Sequence, residues 1–288
     1  MAVAILRLLA IWLLIISLAA RSSQAAELEE IERRGKLIVA VKDNQPPLGF
    51  YDSSGNLQGL EIEIGRRLAE ELLGSPEAVI FVPVSNQDRL NAVLEDQVDL
   101  AIAGVTFTSS RARLVHFSPY YYLDGTGLIT KNPQVETWSD LEDKKIALLN
   151  NSSTVNIIRE SLPNAQLVGV SSYQEAFALL EAGMADAFAG DNTILTGWVQ
   201  EYPAYRRLPD TISADPLCVI MPKGLQYLSL HKKVNKAITR WRSTWLPERI
   251  KYWGLPFTTN TSTTRSLSGS RSAVQATNNK QPTTNNQP

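Results

Sequence analysis

Cysteine is nearly absent from this chain: Cys218 is the single one in 288 residues, and His116 and His231 are the only histidines. One thiol excludes an internal disulfide framework, and two histidines beside it exclude a cysteine-rich zinc site. Stability therefore has to come from the core. An excess of either charge is missing too, with 28 basic against 29 acidic residues. That balance leaves no basic surface for nucleic acid. The one long apolar run, Leu8 to Ala20, is shorter than the roughly 20 residues a membrane-spanning helix needs. Neither G-x-S-x-G, H-E-x-x-H nor a phosphate-loop pattern occurs, so the sequence offers no signature of those catalytic chemistries and calls for no metal or cofactor.

What is present begins with an export signal. Arg7, the apolar run, a polar stretch from Arg21 to Gln24 and the small-x-small site Ser23-Gln24-Ala25 read as a signal peptide over residues 1–25. No cysteine lies beside the cut, so a lipoprotein anchor is excluded and an exported, periplasmic product is expected. The alternative is an uncleaved N-terminal anchor. Residues 258–288 are Thr, Asn, Ser and Gln with almost no large apolar side chains, and are expected to form a disordered tail.

Between these ends the hydrophobic pattern alternates between strand and helix. Lys36 to Val41 is an almost uninterrupted apolar strand of the kind buried on both faces of a parallel sheet. Leu60, Ile64, Leu68 and Leu72 form a helical stripe that Gly74 and Pro76 stop. Strands at 79–84 and 100–105 flank a second helix, and the pattern restarts with strands at 146–149, 167–170 and 186–190 and helices after Thr154 and from Tyr173. Leu230, Val234, Ala237, Ile238, Trp241 and Trp245 stripe a long C-terminal helix. Such alternation means an α/β fold. Glu175–Asp191 echoes Asp88–Gly104: helix, tight turn, Asp, then a small apolar strand ending in Ala-Gly. Two lobes of similar build follow from that echo.

One stretch carries chemistry. Asp99 to Tyr122 reads as a strand, a polar turn from Thr106 to Ser110, and Arg111 at the start of a helix. Thr108, Ser109 and Ser110 are all able to cap that helix, so backbone N–H groups and a guanidinium converge on a spot suited to a carboxylate. Taken locally, the same residues also describe an ordinary strand–turn–helix with a surface arginine.

Set in order, these pieces resemble the periplasmic solute-binding proteins of the polar amino-acid ABC transporter family. The likeness runs from about Leu37 to Leu255 and rests on Pro46-Pro47 with Phe50, the run Gly55 to Ile64, and Val98-Asp99. It continues through the Thr106…Arg111 turn, Phe117-Ser118-Pro119-Tyr120-Tyr121, Trp138-Ser139-Asp140-Leu141, and Asp186-Ala187-Phe188-Ala189. The resemblance implies a type II periplasmic binding protein: two α/β lobes joined by two crossing strands, with the ligand in the cleft. Lobe 1 would comprise residues 28–123 and 218–257, and lobe 2 residues 124–217, with Gly125 and Gly127 near one crossing free to absorb hinge rotation.

The resemblance also assigns roles. Arg111 would grip the ligand's α-carboxylate, helped by Thr106 and, from lobe 2, by Ser152, Ser153 and Thr154. The family usually has Gly where this chain has Asn151. The α-ammonium would meet the Gly104 carbonyl and Asp191. Gln45 and Asn86 stand where relatives often place aromatics around the side chain, while Lys42 and Arg89 fall where acidic-ligand binders place cations. The implied ligand is a polar, acidic amino acid, glutamate or aspartate before glutamine or asparagine. The implied partner is an inner-membrane ABC permease, served by a monomer. Two rival readings stay open. One is a cyclohexadienyl or arogenate dehydratase on the same fold, with Asp191 as general acid. The other is a receptor ectodomain.

Overall fold

The computed structural model describes residues 27–209 and 211–255. The signal-peptide and tail expectations lie outside those residues. Helix α1 (Leu28–Arg34) leads into strand β1 (Leu37–Val41), followed by a three-stranded antiparallel flap of β2 (Asn44–Gln45), β3 (Gly49–Tyr51) and β4 (Leu57–Gln58). Helix α2 (Leu60–Leu73), β5 (Val79–Pro83), the single-turn α3 (Asn91–Leu94) and β6 (Leu100–Ile102) complete the first run. The long strand β7 (His116–Asp124) then crosses to β8 (Thr126–Thr130). Next come β9 (Lys145–Leu149), α4 (Thr154–Ser161), β10 (Gln166–Val170), α5 (Tyr173–Glu181), β11 (Ala187–Asp191), α6 (Asn192–Glu201) and β12 (Arg206–Arg207). Strand β13 (Asp215–Met221) returns to the first sheet, and α7 (Leu228–Trp241) and α8 (Leu246–Tyr252) pack on it.

Two five-stranded sheets result, ordered β5-β1-β6-β13-β7 and β10-β9-β11-β8-β12. In each, four strands run one way and a single strand, β13 or β8, runs against them, and β6 and β11 hold the same third place. The internal echo has a physical cause. At the start of β6, Asp99 accepts the Ile38 N–H at 2.7 Å, and before β11 Asp186 accepts the Lys145 N–H at 2.9 Å. In both sheets a carboxylate thus satisfies the first free N–H of the parallel neighbour, a group that would otherwise lack a ladder partner.

The continuous apolar run of β1 is explained by burial on both faces. Leu37, Val39 and Val41 enter the core beneath α2 and α7, whereas Ala40 packs with Val93 and Ala101 on the other side. In β9, Ile146 and Leu148 face one core and Ala147 and Leu149 another. The expected single C-terminal helix is instead two. It ends at Trp241 and restarts at Leu246, where Pro247 sits in the first turn of α8 and needs no N–H partner. Trp245 lies at that break, with the Arg67 guanidinium 4.7 Å from its ring centre.

The crossings clarify the glycine expectation. Asp215 pairs with Asp124 where β7 and β13 run side by side. Gly125 has no left-handed φ; what requires glycine is crowding, since a Cβ there would stand 2.4 Å from the Ser213 carbonyl oxygen on the second crossing. Gly125→Ala is therefore expected to force the crossings apart, at a cost of about 1–3 kcal/mol in thermal or chemical unfolding.

Candidate functional site

A cleft of about 390 Å³ opens between the sheets, with Asn86, Arg89 and Arg111 on the first side and Asn151, Ser152 and Ser153 on the second. It lies beyond the carboxyl ends of β5, β6 and β9, where an α/β sheet leaves backbone groups free to meet a ligand.

Arg111 sits here, but not on a full helix. The expected helix is a single 3-10 turn, Arg111–Arg113, so no helix-terminal field adds to its charge. Of the three candidate caps, Thr108 accepts the Arg111 N–H at 3.2 Å. The guanidinium donates to the Thr106 carbonyl at 3.0 Å and, across the cleft, to the Asn151 carbonyl at 2.7 Å. Burial lowers its pKa to about 10, the charge of Arg89 adds to that, and Asp191 opposes it. Asn86 makes a second cross-cleft bond, from Nδ2 to the Asn150 carbonyl at 2.8 Å. The substitution of Asn151 for the family's glycine is accommodated because Asn tolerates the left-handed region it occupies, φ 58°. Ser152 and Ser153 line the cleft, while Thr154 is buried and receives the Ser152 hydroxyl at 3.0 Å as α4 begins.

Gly104 follows β6 with φ 62°, a conformation that favours glycine. Its carbonyl, assigned by resemblance to the ligand ammonium, accepts from Arg89 Nη1 at 2.6 Å. The same nitrogen donates to Ala103 O at 2.7 Å. Arg89 is buried, and that burial lowers its pKa against the opposing pull of Asp191, Tyr173 and Glu61. A side chain assigned to a ligand's distal end is thus committed in part to shaping the cleft floor. Lys42 is buried, and neither it nor Gly104, Thr106, Thr154 or Asp191 is among the cleft-lining residues. Desolvation, then Arg89, brings the Lys42 pKa down to about 8, while Asp43 and Glu61 pull it up.

Asp191 ends β11 on the opposite sheet. Burial, then the nearby carboxylate of Asp124, pushes its pKa up to about 8, with Arg89 and Arg111 acting against them. Asp124, at the crossing, is itself pushed up to about 6, chiefly by burial; it accepts bonds from the Thr193 hydroxyl and the Gly125 N–H. Among the described residues no group of three His, Cys, Asp or Glu side chains is placed to hold a metal ion.

Two more residues shape this site: Gln45, which the sequence reading placed at the side-chain end, and Glu61, which it missed. Gln45 is buried with its carboxamide against Gly104: a Cβ on that glycine would meet Gln45 Oε1 at 3.1 Å. Glu61 is fully buried in α2 and accepts the Gly104 N–H at 2.7 Å. Its burial was legible. At about 100° per residue, Glu61 falls inside the arc spanned by Leu60, Ile64, Leu68 and Leu72 rather than opposite it.

Comparison with known proteins agrees with this architecture. A glutamine-binding protein of Geobacillus stearothermophilus is 32% identical over 192 residues, covering 66% of this chain and 73% of that protein. The ABC transporter glutamine-binding protein of Bacillus subtilis is 27% identical over 228 residues, covering 78% and 83%. Among solved structures, the solute receptor for L-cysteine of Neisseria gonorrhoeae superposes with a TM-score of 0.71 at 28% identity, covering 79% of this chain and 93% of that one. These relatives are named as binding proteins, not enzymes. The family model for bacterial extracellular solute-binding proteins, family 3, matches residues 37–255, the two sheets and the cleft between them, and the chain belongs to that family.

Proposed function

We propose that this protein is the periplasmic amino-acid-capturing component of an ABC importer, exported by residues 1–25 and acting as a monomer that closes on its ligand and delivers it to inner-membrane permease subunits. One observation carries the reading. A desolvated arginine beside the first sheet bonds the Asn151 carbonyl across the cleft at 2.7 Å, and it and the carboxylate that ends β11 act on each other's ionisation. That is the charge pattern complementary to a zwitterion. Arg111, Thr106 and the Ser152–Thr154 turn take the carboxylate; Asp191 and the second lone pair of the Gly104 carbonyl take the ammonium.

The side-chain end of the site favours an acidic ligand. With Asp191 ionised beside the ligand ammonium, Lys42, Arg89 and Arg111 stand against Glu61 and Asp191, so the named groups carry one cation in excess of the two carboxylates. Glutamate or aspartate balances it, and a basic side chain compounds it. A second reading, glutamine or asparagine, is favoured by Glu61, which already acts on both Lys42 and Arg89. The names of the two glutamine-binding relatives support it as well. A dehydratase with Asp191 as acid would have to turn over prephenate or arogenate, which assay of the purified protein checks.

Calorimetric titration with the twenty amino acids decides between the two ligand classes. A distal carboxylate favours charged Lys42, so glutamate binding is expected to take up a proton above pH 8, and its affinity to fall as pH rises from about 8 to 10. Glutamine binding lacks the uptake at Lys42; the α-ammonium adds an equal uptake to both ligands as it titrates, so the difference between them is the readout. Tight lysine or arginine binding with no glutamate or glutamine signal overturns both readings.

A further inference from the structure

Glu61 is a buried charge that the zwitterion clamp does not use. Its neighbours along α2, Leu60, Ile62, Ile64 and Leu68, are all buried and apolar, so packing there calls for no carboxylate. Oε1 accepts the Gly104 N–H at 2.7 Å and the Tyr121 hydroxyl from β7. Oε2 is buried without a hydrogen-bond partner. Arg89, meanwhile, donates to the carbonyl of Ala103 at 2.7 Å. The Ala103–Gly104 peptide group is therefore held from both ends, its N–H by a carboxylate and its C=O by a guanidinium. The two opposite charges do not meet directly; a peptide group lies between them, and the next carbonyl, that of Gly104, accepts from the same Arg89 nitrogen at 2.6 Å.

We propose that Glu61 is a positioning and specificity-determining residue, which fixes the Ala103–Gly104 peptide together with Arg89 and supplies the internal negative charge that offsets Lys42 and Arg89. It touches no ligand and acts through those three groups. Its charge decides how much positive potential the cleft floor shows to the ligand side chain, and so sets the balance between carboxylate and carboxamide ligands. Burial pushes the Glu61 carboxyl upward in pKa, while Tyr121, the Gly104 N–H, Arg89 and Lys42 hold it down, which keeps that charge sensitive to its partners.

This inference rests on reading the cleft as an amino-acid site. The test is calorimetry with glutamate and glutamine on the whole protein. Glu61→Gln keeps the shape and an acceptor for Gly104 but removes the charge. The ratio of glutamate to glutamine affinity is expected to rise at least tenfold, with thermal stability kept or raised. A purely structural role would weaken both ligands equally, and an unchanged ratio overturns the inference. Tyr121→Phe guards against a variant that does not fold. It removes one donor that favours ionised Glu61, so on acidification the ratio is expected to begin rising at a higher pH than in wild type. A ratio identical to wild type at every pH also overturns it. Wild-type protein that binds neither amino acid refutes the functional reading itself; wild-type binding with no shift in the variants refutes only the role of Glu61.

Discussion

Arg111→Ala is expected to weaken amino-acid binding at least a thousandfold, which calorimetry would register as loss of a measurable signal at micromolar protein. The size follows from three losses at once. A charge-assisted pair with both carboxylate oxygens disappears, and such bonds are about twice as strong as neutral ones. The ligand carboxylate is left desolvated without a cation, the costlier half of any such deletion. The bond to the Asn151 carbonyl goes as well, so one of the two cross-cleft contacts that favour the closed form is lost. Arg111→Lys is expected to recover only part of the affinity, because a single ammonium cannot serve the Thr106 carbonyl, the opposite turn and two carboxylate oxygens together. Thermal melting should hardly move, since the residue is half-buried at the edge of the cleft and lies outside the apolar cores. Affinity near wild type in Arg111→Ala would mean that the carboxylate is gripped elsewhere.

How much of this was legible in sequence depended on whether a residue acts through its period or through its partners. The strands and α2 were readable because burial of whole faces imposes a period, and the Asp99 and Asp186 echo because one carboxylate solves the same backbone problem twice. Arg111 was readable as a cation beside capping residues, although the helix behind it shrank to one turn, having no apolar stripe to pack. The helical break before Leu246 was missed by following the tryptophan stripe through Pro247. Arg89 and Lys42 were placed at the site but not explained, since their hydrogen bonds and fields involve Ala103, Gly104 and Glu61, which lie far along the chain. Glu61 was missed for a simpler reason: apolar positions of the stripe were read and the polar residue within the same arc was not.

Asp191→Asn is expected to weaken binding at least a hundredfold near pH 8 and, more tellingly, to flatten the pH dependence. In the empty cleft the Asp191 carboxyl is pushed up to about 8, so at neutral pH it is mostly protonated. A ligand ammonium beside it favours the charged form and lowers that value. Binding must then release a proton between about pH 5 and 8, and affinity should rise through that window by up to tenfold per pH unit before levelling off. Proton release is read by titrating in buffers of different ionisation enthalpy. Folding carries the opposite sign. An Asp with an unfolded value of about 3.9 and a raised folded value binds more protons folded than unfolded, so it costs stability as pH climbs from about 4 to 8. Asp191→Asn removes that cost, and the empty variant should melt at a higher temperature than wild type at pH 8 while binding worse. A residue serving only the fold would lose stability and affinity together. For glutamate the rise through Asp191 and the fall through Lys42 combine into a maximum near pH 8, whereas glutamine lacks the fall through Lys42 and declines only where its own α-ammonium titrates. Wild-type affinity that stays level from pH 5 to 8 for every amino acid bound would remove Asp191 from the clamp.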